Sequence, residues 1–143
     1  MLSEADRQVA AEVIFDAHKD ATACDPLSKI WPDMTLEDAY DIQARFVALK
    51  CAAGSIRKGY KVGVATPTAQ KAAGVSEPTY GVIFADGIAG PGMTFAKGRF
   101  VAPKVECEVA FVMGKDLSGP CSIADVIAAT EAVVPSYEVV DFR

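Results

Sequence analysis

The sequence predicts an α+β fold in which a helical layer comes first and strands with short helices between them follow. Up to about residue 53, apolar residues recur at three- and four-residue steps, the period of an amphipathic helix. From Gly59 onward they alternate every second residue, the period of a strand. The later helical segments are short and unevenly spaced, which argues against the regular strand–helix–strand crossovers of a doubly wound sheet.

The elements follow in order. Val9, Val13, Ile14 and Ala17 place a helix over Ser3 to about Ala23, with His18 as an exposed helix residue. Asp25-Pro26 and Trp31-Pro32-Asp33 read as a loop. Thr35 then caps a second helix, with Asp38 at its third position, and Gly54 stops it. Its expected core face is Leu36, Ala39, Tyr40, Gln43, Phe46, Val47 and Lys50. Tyr60, Val62 and Val64 mark a short strand, and Thr66-Pro67 starts a short helix that ends at Gly74. Tyr80–Phe84 is a second strand, followed by turns at Ala85-Asp86-Gly87 and Gly90-Pro91-Gly92. Lys104–Met113 is the clearest strand. Ser122 caps a helix through about Ala132, Pro135 blocks its continuation, and Ser136–Asp141 is the last strand.

A chain of 143 residues is long enough for one domain with a real core. Its 51% apolar and 23% charged content is that of a globular chain and gives no case for disorder. The net charge of −5 and the lack of a basic cluster argue against a nucleic-acid partner. No apolar run approaches a membrane span, and the polar first residues carry no secretory signal. Cys24, Cys51, Cys107 and Cys121 are widely and irregularly spaced, and His18 is the single histidine, so neither a zinc site nor a disulfide framework is indicated. Reduced thiols in a cytoplasmic protein are expected.

The chemistry concentrates in Lys104-Val105-Glu106-Cys107-Glu108-Val109. Side chains alternate across a strand, so Glu106 and Glu108 share one face and Val105, Cys107 and Val109 the other. Two adjacent carboxylates repel when ionised, and solvent, a protonation shift or a hard cation such as Mg2+ or Mn2+ must offset that. Alternating Glu-x-Glu is common on exposed strands, so by spacing alone a solvated strand face is the more usual explanation. Glu138, set among apolar residues in the last strand, adds a third acid. Lys61 lies between Gly59 and Gly63 in an apolar run, where small neighbours allow close approach of a ligand. It reads either as an acid/base or anion-holding group, or as a strand lysine whose tip reaches water.

These motifs together resemble the 2-keto-4-pentenoate hydratase / 2-oxohept-4-ene-1,7-dioate hydratase family of the fumarylacetoacetate hydrolase superfamily. Gly59-Tyr60-Lys61-Val62-Gly63 is similar to its G-x-K-x-G motif, and Gly74–Gly81 to its segment ending P-x-[FY]-G. Pro103–Val112 is similar to its P-x-[IV]-E-x-E strand, and Pro135–Arg143 to its P-x-x-E-x-x-D-x-R element. The resemblance covers nearly everything after residue 30, in order, and corresponds to the N-terminal half of the family.

It implies a helical region over 1–55, then over 56–143 the first part of a fumarylacetoacetase-like mixed β-roll, incomplete at the C-terminus because relatives continue for about as long again. The implied activity is a hydro-lyase adding water to 2-hydroxy-2,4-dienoates in aromatic catabolism, giving 4-hydroxy-2-oxo acids. The implied alternatives are a 4-oxalocrotonate-type decarboxylase, a fumarylpyruvate-type hydrolase, or a catalytically silent truncated subunit. Glu106, Glu108 and Glu138 match the ligands of Mg2+ or Mn2+, Lys61 the family's lysine near the substrate, and Thr66 and Thr79 substrate-binding positions. Thr79 stands where many hydratases carry Asp, and a threonine cannot serve there as a carboxylate base. A homo-oligomer, or association with a related decarboxylase or hydratase, is also implied.

Overall fold

The computed structural model describes all 143 residues and is α+β, as the change of hydrophobic period requires. The chain divides into two compact units, Met1–Arg99 together with Arg143, and Phe100–Phe142.

The first unit is built on two long helices, α1 (Glu4–Asp20) and α3 (Leu36–Ala52), joined through a single turn, α2 (Leu27–Ile30), and packed with like ends together: Leu2 N–H meets Asp38 at the start of α3, and His18 near the end of α1 lies against Phe46. This turn lies within the segment that the sequence predicts as loop. Ser3 caps α1 through Asp6 N–H, and Thr35 caps α3 in a reciprocal box with Asp38. The core sits where the helices cross: Ala10 and Ala11 let α3 approach closely, and Ile42 fills the contact at 2% exposure. Phe46, Leu49, Leu27 and Trp31 close around it.

The expected core face of α3 is only partly right. The deepest positions are Asp38, Ile42 and Val47, whereas Leu36 is 45% exposed. The helix is covered on two sides. Ile42 faces α1, while Tyr40 stacks on Tyr80 at 4.8 Å and Gln43 Nε2 donates to the Tyr80 carbonyl at 3.1 Å.

Asp38 is buried because it ties three segments together. Its Oδ1 accepts Leu2 N–H at 3.1 Å, and its Oδ2 accepts Thr35 N–H at 3.0 Å and Thr35 Oγ–H at 2.9 Å. Those donors, Thr35 N–H foremost, outweigh burial and hold its pKa below the ordinary carboxylate value. On the surface of the pair, Asp41 bridges Arg7 at 3.3 Å and Arg45 at 3.0 Å.

Strands β1 (Arg57–Gly63) and β2 (Thr79–Phe84) pair antiparallel, connected by α4 (Pro67–Ala73). Thr66 caps α4, Pro67 occupies its first turn and Gly74 ends it at φ +71°, all as the sequence indicated. One face of the hairpin meets α3 through Tyr80 and Phe84, the latter edge-on to Phe46 at 6.4 Å. Beyond β2, Asp86 accepts from Lys50 Nζ at 3.0 Å and Ser55 Oγ at 3.1 Å.

The second unit is a long antiparallel pair, β3 (Pro103–Met113) and β4 (Thr130–Asp141), with α5 (Ile123–Ala129) in the connection. Here the sequence reading needs correction. The helix ends at Ala129, not near Ala132, and the strand begins at Thr130 and runs through Pro135. Thr130, Val133 and Val134 favour extended backbone, and pairing with Met113, Phe111 and Ala110 holds them there. Pro135, opposite Val109, is tolerated because β4 pairs on one side only. All four cysteines are free thiols, and no helix is long and apolar enough to cross a membrane.

Candidate metal centre

Register brings the glutamates together. Glu106 on β3 lies directly opposite Glu138 on β4, and Glu108 lies opposite Ser136. Cross-strand partners project to the same side, and so do residues two apart on one strand. Lys104, Glu106 and Glu108 therefore share a face with Val140, Glu138 and Ser136. One carboxylate oxygen from each of Glu106, Glu108 and Glu138 lies within 4.8 Å of the other two. Glu106 and Glu108 are exposed and Glu138 is half-buried.

This donor set fits a hard divalent ion. Adjacent octahedral oxygens at about 2.1 Å from Mg2+ are roughly 3.0 Å apart, so oxygens within 4.8 Å of one another would close by at most about 1.8 Å, a shift within the reach of glutamate side-chain rotation. With no sulfur or imidazole in the set, oxygen-preferring cations are favoured over zinc or copper. Lys104, two residues before Glu106, has its Nζ 4.9 Å from the centre of the Phe142 ring.

Lys61, Thr66 and Thr79 lie in the first unit. Lys61 pairs with Gly81 across the β1–β2 hairpin, on the face away from α3. A Cβ added at Gly81 would come within 3.3 Å of Lys61 Cγ, so the bare glycine leaves room for the lysine stem. Thr79 pairs with Gly63 on the same face, its Oγ 3.1 Å from where a Gly63 Cβ would stand. Thr66 Oγ accepts Ala69 N–H at 3.2 Å, which occupies one of its lone pairs and leaves its own proton to donate elsewhere.

Two features escaped the sequence reading. Val64, the residue after β1, has φ +54°, a conformation that costs a β-branched residue about 1–3 kcal/mol. It turns the chain between Lys61 and the Thr66 cap, and nothing in the local sequence signals it. Asp141, which motif matching left without a role, accepts hydrogen bonds from Val101 and Ala102 N–H.

No family model matches the chain. Among curated proteins it is 37% identical over 134 residues to the 2-oxo-hept-4-ene-1,7-dioate hydratase of Escherichia coli, covering 93% of this chain and 50% of that protein. It is 39% identical over 124 residues to a 2-hydroxypent-2,4-dienoate hydratase of Pseudomonas putida, covering 82% and 54%. Among solved structures, the 4-oxalocrotonate decarboxylase of Pseudomonas putida G7 complexed with magnesium and adipate superposes with a TM-score of 0.91 at 31% identity, over 99% of this chain and 54% of that one. The same decarboxylase complexed with calcium and acetate gives 0.92. The chain thus spans about half the length of the relatives it matches.

Proposed function

We propose that this chain, which belongs to the 2-keto-4-pentenoate hydratase family of the fumarylacetoacetate hydrolase superfamily, carries the metal-binding half of a divalent-metal-dependent hydro-lyase acting on 2-hydroxy-2,4-dienoates. The observation that carries this reading is the meeting of Glu106, Glu108 and Glu138 on one strand face. The curated relatives named above are hydratases of small dienoate acids, and the superposed decarboxylase is complexed with magnesium or calcium.

Glu106, Glu108 and Glu138 would hold Mg2+ or Mn2+. When bound, such an ion supplies a Lewis-acidic site for the substrate's 1-carboxylate and 2-oxo oxygens. In the overall conversion, the proton of the 2-hydroxyl is relocated to the terminal carbon, giving an α,β-unsaturated ketone. Water then adds at the fourth carbon, and its second proton goes to the third. Lys61 Nζ is the group assigned to proton transfer, with a stem laid beside the bare Gly81. Thr66 and Thr79 offer hydroxyls to the substrate, and Thr79 holds a proton only as a neutral donor or acceptor. A cytoplasmic location and a homo-oligomer, or assembly with a related decarboxylase or hydratase, belong to the same reading.

The test is product analysis with 2-hydroxypenta-2,4-dienoate and Mg2+. Formation of the 4-hydroxy-2-oxo acid, lost in Lys61→Ala, supports the hydratase. Carbon dioxide release from a 4-oxalocrotonate-type substrate would move the reading to a decarboxylase like the one whose structure superposes on this chain. A folded chain that binds metal but converts neither substrate would point to a silent subunit.

A further inference from the structure

We infer that Asp141 is a positioning residue that fixes the register of β3 against β4, and thereby decides that Glu138 meets Glu106. The functional importance of that register rests on the metal reading above, but the geometry of the clamp does not.

Asp141 is the last residue of β4 and stands opposite Pro103, the first of β3. Proline has no N–H, so β3 cannot donate from this position. The Asp141 carboxylate instead reaches past the strand end. Its Oδ1 accepts Val101 N–H at 2.9 Å and Ala102 N–H at 2.8 Å, and its Oδ2 lies 3.2 Å from the Val101 nitrogen. These bonds to an ionised acceptor are directional and tie one residue of β4 to two consecutive residues leading into β3.

The usual sources of register are weak here. The connection from Met113 to Thr130 contains a helix, so no tight turn sets the pairing. Burial does not select a face either. Val105, Val109, Phe111 and Tyr137, on the side opposite the glutamates, are 68%, 61%, 60% and 74% exposed. Gly114 N–H donates to the Ala129 carbonyl at 2.8 Å at the far end, but the register shift between Val112 and Met113 separates that bond from the glutamates. On the glutamate side of this irregularity, Asp141 is the side-chain clamp. A slip of one residue would turn Glu138 to the face opposite Glu106 and Glu108 and leave two carboxylates where there were three.

The experiment compares the 143-residue chain with Asp141→Ala, Asp141→Asn and Ala102→Pro. Two readouts are used: the NMR cross-strand contact between Glu106 and Glu138 backbone protons without metal, and Mn2+ affinity by calorimetry. Expected is loss or splitting of the contact in Asp141→Ala, a Kd raised about tenfold or more, as for residues that orient metal ligands, and partial recovery of both in Asp141→Asn, which keeps one acceptor oxygen. Ala102→Pro removes a donor from the other side of the clamp and decides the matter if Asp141→Ala does not fold. A wild-type contact and a Kd within twofold of wild type in a folded variant would overturn the inference. If wild type binds no Mn2+ but the contact is still lost in Asp141→Ala, the clamp stands and the metal reading fails.

Discussion

Replacing Glu138 with glutamine should change stability in opposite directions with and without metal. In the metal-free chain, Glu138 is one of three carboxylates with oxygens within 4.8 Å. At that distance two unit charges repel by about 0.9 kcal/mol in water, or about 0.5 kcal/mol after screening at physiological salt. Glu138 takes part in two such pairs, so Glu138→Gln should stabilise the metal-free chain by about 1 kcal/mol, a Tm rise of roughly 3–4 °C for a chain of this size. Lowering the salt should enlarge the effect. With Mn2+ at a hundred times its Kd, wild type should gain about 2.7 kcal/mol, and the variant should lose most of that gain. Thermal unfolding with chelator and with Mn2+ reads both quantities. A metal-free Tm that is unchanged or lowered in Glu138→Gln, with an Mn2+ shift equal to wild type, would refute the reasoning, because the carboxylates would then be neither crowded nor cooperating.

Other perturbations test the frame around the site. Ile42→Ala empties the contact between α1 and α3 and should cost roughly 2–5 kcal/mol by denaturant unfolding. The lowered pKa of Asp38 means that its contribution is present above the unfolded carboxylate value, near 4, and is lost as pH falls through the lower folded value; acid titration of Asp38→Asn should lack that component. Val64→Gly should be stability-neutral to within about 1 kcal/mol, because relief of the positive φ offsets the added chain entropy, whereas Val62→Gly in the regular strand should destabilise.

Local chemistry was the legible part of this sequence. Thr35 with Asp38, and Thr66-Pro67 with Gly74, announce helix ends by hydrogen bonds made within a few residues, and the structure places both as read. Alternation alone put Glu106 and Glu108 on one face. What the residues alone did not indicate depends on distant partners. That Glu138 faces Glu106 is a matter of register across a long connection, and no local signal encodes it. Pro135 suggested a break between helix and strand. Pairing with β3 on one side only lets the strand run through it, so local propensity gave way to tertiary pairing. The face of α3 was misjudged in part because two different elements cover it, and a single-stripe pattern cannot represent that.

The most direct test of the central claim is a calorimetric titration of the 143-residue chain with Mn2+, beside the same titration of Glu106→Ala. One-site binding in wild type that disappears in the variant is the predicted result, and it would establish that this half of the family's length already assembles the metal centre. Absence of binding in folded wild type, or equal binding in both proteins, would contradict it and leave the three glutamates as a solvated strand face.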